Sequence, residues 1–102
     1  MRIIVFFDLP IVKKKERKIY TQFRRFLLKD GYDMIQFSVY SRLCNGTDMM
    51  NKHLKRLSQS LPDKGSIRCL TVTEKQYEEM KFLVGKPTVK ERKVNSEQLS
   101  LF

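Results

Sequence analysis

A chain of 102 residues is large enough for one domain with a single core and too short for two. Its composition, 41% hydrophobic and 31% charged with no low-complexity tract, is that of a folded protein and argues against a disordered one. The net charge of +10 points to a polyanionic partner, and the longest early apolar run, residues 3–7, is too short for a signal peptide or a membrane span.

Residues 3–7 are β-branched and aromatic and apolar on both faces, which suits a central strand, and Pro10 prevents its ladder from continuing. Residues 13–29 follow with eight basic residues and one acid, Glu16. At 100° per residue, Ile19, Tyr20, Phe23, Phe26 and Leu27 fall on one face of a helix. Lys14, Arg17, Lys18 and Arg25 fall on the other, with Thr21 between them. The apolar side asks for a core and the cationic side for a polyanion. The helix is expected to stop at Asp30-Gly31, where Gly31 can take the left-handed conformation.

Residues 32–43 read as one strand, with Ile35, Phe37 and Val39 alternating onto one face until Cys44-Asn45-Gly46 breaks it. Thr47 or Asp48 is expected to cap a second helix, with Met50, Leu54, Leu57 and Leu61 as its inward stripe. Lys52, Lys55 and Arg56 face elsewhere, and His53 rests beside the core. Residues 61–65 form a turn, residues 67–72 a third strand, and Thr73 with Gln76 a capping box for one short helical turn. Residues 82–84 are expected as a fourth strand, closed by Gly85 and Pro87. Leu99-Ser100-Leu101-Phe102 is apolar enough to dock as an edge strand.

The expected fold is α+β, a ferredoxin-like βαββαβ sandwich with a C-terminal extra edge strand. It occupies residues 1–85, and residues 86–102 form a tail with the docking strand. Cys44 and Cys69 have no CxxC or metal-ligand spacing and are expected as reduced thiols in a cytoplasmic protein. Asp30 and Asp33 flank Gly31 and read as turn residues, and no nucleophile elbow or histidine pair is present.

The basic helix carries the clearest signal for a partner. Like charges at i,i+4, such as Lys14 and Lys18, are mutually destabilising, and a merely soluble face would mix in acids. On a DNA reading Arg17, Arg24 and Arg25 clamp phosphates, while Lys13, Lys14, Lys15 and Lys18 supply field. An anionic membrane surface is the weaker reading, because a small domain needs the aromatic face for its own core. Lys86, Lys90, Arg92 and Lys93 form a second basic group, either a phosphate contact or a solubilising linker.

Phe7-Asp8-Leu9-Pro10 leading into a Lys/Arg-rich helix resembles the CRISPR-associated Cas-two family. Gln36-Phe37-Ser38-Val39-Tyr40 resembles that family's second-strand signature. Lys64-Gly65 before Leu70-Thr71-Val72-Thr73-Glu74-Lys75-Gln76 resembles the version found with type II systems. The resemblance spans residues 1–85 and implies a homodimer in which two sheets pack together. It also implies a place between dimers of the CRISPR integrase, where the assembly captures foreign double-stranded DNA and inserts it as a new spacer. By the same likeness, residues 99–102 would dock at the dimer or integrase contact.

The family also carries a metal-dependent nuclease label centred on the residue matching Asp8. On that reading Asp8 is a magnesium ligand and the candidate catalytic residue. One carboxylate is too few, so a twofold axis would bring in the second copy's Asp8 to share the ion. The plainer alternative is that Asp8 accepts hydrogen bonds from backbone amides in the turn before Pro10.

The expected function is therefore a DNA-binding scaffold for spacer acquisition, with the strand chemistry belonging to the integrase. A stand-alone magnesium-dependent endonuclease or endoribonuclease of the same fold, or a toxin-like ribonuclease, would require turnover by the chain itself. An RNA-recognition motif is disfavoured, because Ser66, Arg68 and Thr71 stand where its stacking aromatics belong.

Overall fold

The computed structural model describes residues 1–88. The elements are β1 (Arg2–Asp8), α1 (Lys14–Lys29), β2 (Asp33–Gln36), β3 (Val39–Leu43), α2 (Thr47–Ser58), β4 (Ser66–Val72) and α3 (Glu74–Glu78). The four strands form one antiparallel sheet in the order β2-β3-β1-β4, the ferredoxin-like arrangement expected from the sequence.

Period-two alternation along β1 divides the molecule. Ile3, Val5 and Phe7 enter the core with Phe23 and Leu27 of α1 and Leu57 of α2, so these two helices cover one face of the sheet. Arg2, Ile4, Phe6 and Asp8 point to the other face. There α3 covers only the Arg2 end: the Arg2 guanidinium donates to Glu74 Oε1 at 2.8 Å and lies 4.0 Å from the Tyr77 ring centroid. Phe6 and Leu70, farther along, are 40% and 54% exposed.

The end of α1 follows from Gly31. At φ +92° it lets the Gly31 N–H reach the Leu28 carbonyl (3.2 Å) and the Tyr32 N–H reach that of Leu27 (2.9 Å), a Schellman closure. A Cβ at Gly31 would also lie 3.1 Å from the Arg42 guanidinium and press on it. At Gly65 a Cβ would lie 2.8 Å from the Asp8 carbonyl oxygen, so the turn before β4 can close over β1 only with glycine.

Several expectations are corrected. Residues 32–43 are not one strand but a hairpin: β2 and β3 are joined by Phe37-Ser38, with a register shift between Met34 and Gln36. Ser38 sits at φ 61° and its carbonyl accepts from the Phe7 N–H at 3.1 Å, so β1 itself holds the turn. Phe37 is therefore 76% exposed rather than part of an inward alternation. The hairpin supplies the adjacent strand pair of βαββαβ, and β4 supplies the last strand. Residues 82–84 form no strand; Leu83 and Val84 are 91% and 95% exposed, since β4 already occupies the place beside β1.

The cap of α2 is Gly46, and Thr47 and Asp48 lie inside the helix, where Asp48 faces the positive end of the dipole. Leu61 lies beyond α2 and is 49% exposed; the inward position is taken by His53, which is 7% exposed. The capping box of Thr73 and Gln76 forms as expected. The docking strand at residues 99–102, and Lys90, Arg92 and Lys93, lie outside the described residues.

Candidate functional site

The outer face of α1 is cationic because its one acid is used elsewhere. The Glu16 carboxylate turns back to accept the Lys13 N–H at 2.8 Å. A lysine side chain has no acceptor, so only this half of the reciprocal cap forms. Lys14, Lys18 and Arg25 are exposed and none has a carboxylate partner among the described residues. Lys14 to Arg25 spans about 16 Å along the axis, or roughly five base-pair steps of a duplex. Arg17, Lys18, Thr21, Gln22 and Arg25 line a shallow groove along this face.

The structure separates the remaining cations of the expected DNA-binding set. Arg17 donates to the Ile11 and Val12 carbonyls at 3.2 and 2.6 Å, which ties down the loop before α1 and engages part of its guanidinium. Arg24 donates through Nε to the buried Tyr40 hydroxyl at 2.9 Å. Its two terminal nitrogens point away from that bond in the planar fork of the guanidinium. Lys13 and Lys15 instead rim a recess floored by Leu9, Pro10 and Ile19, with Lys64 beside them. The stripe proper is Lys14, Arg17, Lys18 and Arg25.

Asp8 stands apart from the stripe. It ends β1 on the open face of the sheet, opposite Ser66, and is exposed. It shares a shallow depression with Phe6, Phe37, Ser38, Ser66 and Arg68. Among the described residues no three His, Cys, Asp or Glu side chains gather to hold a metal. The donors at this spot are one carboxylate and nearby hydroxyls, a set that suits a largely hydrated hard cation and needs a further carboxylate for tight binding.

Sequence reasoning missed a buried cluster. Asp30, expected as a turn residue, is 6% exposed and is a hub. Its carboxylate pairs with His53 Nδ1 at 2.9 Å and Arg56 at 2.7 Å, and its carbonyl accepts from Arg42 at 2.9 Å. The cluster binds the end of α1 to β3 and α2. Only the histidine placed on an inward helical position hinted at it. Tyr32, beside it, is 1% exposed and its hydroxyl has no hydrogen-bond partner among the described residues. Burial first, and then the nearby Asp30 charge, push that hydroxyl well above its ordinary range.

Comparison with known proteins places this arrangement. The family model described as CRISPR associated protein Cas2 matches residues 1–80. A relative from Acidovorax ebreus, named CRISPR-associated endoribonuclease Cas2, is 63% identical over 102 residues, covering 100% of both chains. One of the same name from Flavobacterium psychrophilum is 46% identical over 100 residues, covering 98% of this chain and 86% of the other. The crystal structure of Streptococcus pyogenes Cas2 at pH 6.5 superposes with a TM-score of 0.60 at 21% identity, covering 82% of this chain and 100% of that one, which supports the fold. No helix among the described residues is long and apolar enough to cross a membrane.

Proposed function

The chain belongs to the CRISPR-associated Cas2 family, and from that premise we propose that it works as a homodimeric DNA-binding scaffold of CRISPR adaptation. It would hold a foreign duplex and bridge integrase dimers while a new spacer is captured and inserted. The observation that carries this reading is the cationic stripe on α1, which has no carboxylate partner among the described residues, the helix's own acid Glu16 being engaged at its N-terminus. Such a face grips phosphates and reads no bases, as capture of arbitrary DNA requires. The exposed Phe6 and Leu70 support a second copy packing sheet against sheet. A twofold axis through that face would bring the two Asp8 residues toward one another.

A second reading is favoured by the relatives' names: a magnesium-dependent endonuclease or endoribonuclease centred on Asp8. Asp8 of each copy would hold the ion, which when bound would polarise a phosphate oxygen and activate water. Arg68, in the same depression, would steady the phosphate.

One experiment separates the two. Spacer integration with the cognate integrase is compared for the unaltered chain and Asp8→Ala. Equal insertion is the expected result and supports a scaffold. Loss of insertion by a variant that still folds, dimerises and binds DNA would overturn it. Magnesium-dependent cleavage of single-stranded RNA or duplex DNA by the purified chain, abolished by Asp8→Ala, would establish the nuclease.

A further inference from the structure

An exposed arginine explores many rotamers, and freezing one of them on binding costs affinity. Arg24 is exposed, yet its Nε donates at 2.9 Å to a hydroxyl rooted in the core. That hydroxyl belongs to Tyr40, a buried residue of β3 that lies opposite Val5 of β1. The Tyr40 ring stacks on Phe7 with centroids 5.6 Å apart and planes at 25°, so the anchor is fixed by the sheet and by the packing beneath α1.

Of the five guanidinium N–H groups the anchor uses the one on Nε, and the four on the terminal nitrogens face away from it. Arg24 has no carboxylate partner among the described residues. It follows Arg17 by about two helical turns, so it lies on the same flank of α1. Arg17, Thr21 and Arg25 line the groove along that flank, and none of the residues lining the groove is an acid.

We propose that Tyr40 is a positioning residue for nucleic-acid binding: its hydroxyl holds the Arg24 guanidinium so that the two terminal nitrogens present a ready-made fork to a phosphate of a duplex lying along α1. The inference rests on the DNA-binding reading above and adds to it a buried residue that never touches the ligand. A bidentate grip on a phosphate needs both terminal nitrogens in one plane that faces it, and the Nε bond sets that plane. A lysine at the same place would bring the charge without the plane. Charge and geometry in this grip therefore come from different residues. The salt slope of binding counts the cations engaged, whereas affinity at fixed salt also contains the cost of ordering them.

The full chain is titrated with a labelled blunt duplex by fluorescence anisotropy at several salt concentrations. Tyr40→Phe keeps the ring in its place and removes only the anchor. It should weaken binding about 2- to 12-fold for each Arg24 in contact with the duplex, with the salt slope unchanged. Arg24→Lys keeps the charge and loses the Nε bond, so it should match Tyr40→Phe in both readouts. The double variant should bind no more weakly than Arg24→Lys alone, because the two changes remove one interaction. Arg24→Gln removes the cation itself and should lower the slope by about 0.9 for each copy in contact.

Unaltered affinity in Tyr40→Phe would overturn the proposal. So would losses that add in the double variant, since Tyr40 would then act by a route other than Arg24. An unchanged slope in Arg24→Gln would overturn it by showing that Arg24 meets no phosphate. If Tyr40→Phe failed to fold, Arg24→Lys, changed on the solvent side, would decide alone: a loss at constant slope supports the proposal and unaltered affinity overturns it. If the unaltered chain bound the duplex with a steep salt slope while Tyr40→Phe matched it, the positioning role alone would fall. If the unaltered chain bound no duplex, the DNA-binding reading would fall with it.

Discussion

Along the outer face of α1, Lys14, Lys18 and Arg25 are exposed without carboxylate partners among the described residues, whereas on the other face of the sheet the apolar Phe6 and Leu70 are 40% and 54% exposed. The first face is bare because Glu16 is spent on the helix cap. The second is bare because α3 has five residues and reaches only the Arg2 end of the sheet. The difference lies in what each face gains from a partner. Lysine and arginine are already well solvated, so a phosphate partner gains chiefly by releasing counterions, and salt opposes it. Exposed phenylalanine and leucine are poorly solvated, so burial gains about 25 cal/mol per Å² and salt matters little.

The largest test of this contrast is salt. If about six to ten phosphates are neutralised per dimer, DNA affinity should fall about 10³–10⁵-fold between roughly 50 and 200 mM salt, read by fluorescence anisotropy. Replacing Lys14, Lys18 and Arg25 with Glu should abolish binding while circular dichroism stays unchanged, because these side chains are exposed and have no carboxylate partner among the described residues. Reversing Arg17, Arg24 and Arg25 is a less clean test, since it also removes the Arg24–Tyr40 bond and the Arg17 ties to the loop. Normal binding by a folded Lys14, Lys18, Arg25 variant would remove α1 from the interface.

A middle-sized effect is expected on the sheet. Leu70→Glu should shift the proposed dimer toward monomer at least tenfold, the equivalent of about 1.4 kcal/mol, by analytical ultracentrifugation. Leu70 is 54% exposed within one chain, so the fold itself should tolerate the change. Dimerisation should also be nearly independent of salt. If it weakened with salt as DNA binding does, the contrast between the two faces would collapse.

The smallest effect concerns the interior between them. Tyr32→Phe removes a hydroxyl that is buried without a partner among the described residues and should stabilise the chain by about 1 kcal/mol in urea. It should also change the alkaline limb. Burial and the Asp30 charge raise the Tyr32 hydroxyl above its ordinary value of 10.0. Below about pH 10 it is neutral in both states and its contribution is fully present. As pH rises further, the unfolded chain ionises first and stability falls, by up to about 1.4 kcal/mol per pH unit for one group. Tyr32→Phe should remove that share of the loss. An unchanged alkaline limb would show that another group controls it.

Much of this was legible in the residues. The 3.6-residue period placed α1 and separated its two faces, Gly31 marked its end, and Thr73 with Gln76 marked α3. The family motifs at Phe7-Asp8-Leu9-Pro10 and in the Phe37-Ser38 segment likewise pointed to the family that the comparisons show. Other features were invisible. Phe37 is not a usual turn residue, a lone serine is only a weak turn former, and apolar alternation runs straight through them, so the hairpin had little local signal. It exists because the Phe7 N–H and the Tyr20 side chain, from elements distant in sequence, hold Ser38 in a left-handed conformation. The Asp30 hub is hidden for the same reason, its partner His53 lying on another helix.

Residues 82–84 teach the converse. Their β-forming composition predicts a strand, but β4 takes the place beside β1, and residues 82–84 pair with no strand among the described residues. Sequence alone determined the existence of the helices, the end of α1, the Thr73 cap of α3 and the cationic stripe, because those depend on hydrogen bonds and side-chain spacing within a few residues. Tertiary structure alone decided which strands pair, which face of the sheet stays open, and that Phe37 points outward while Asp30 is buried. Those outcomes depend on hydrogen-bond partners and burial supplied from far along the chain.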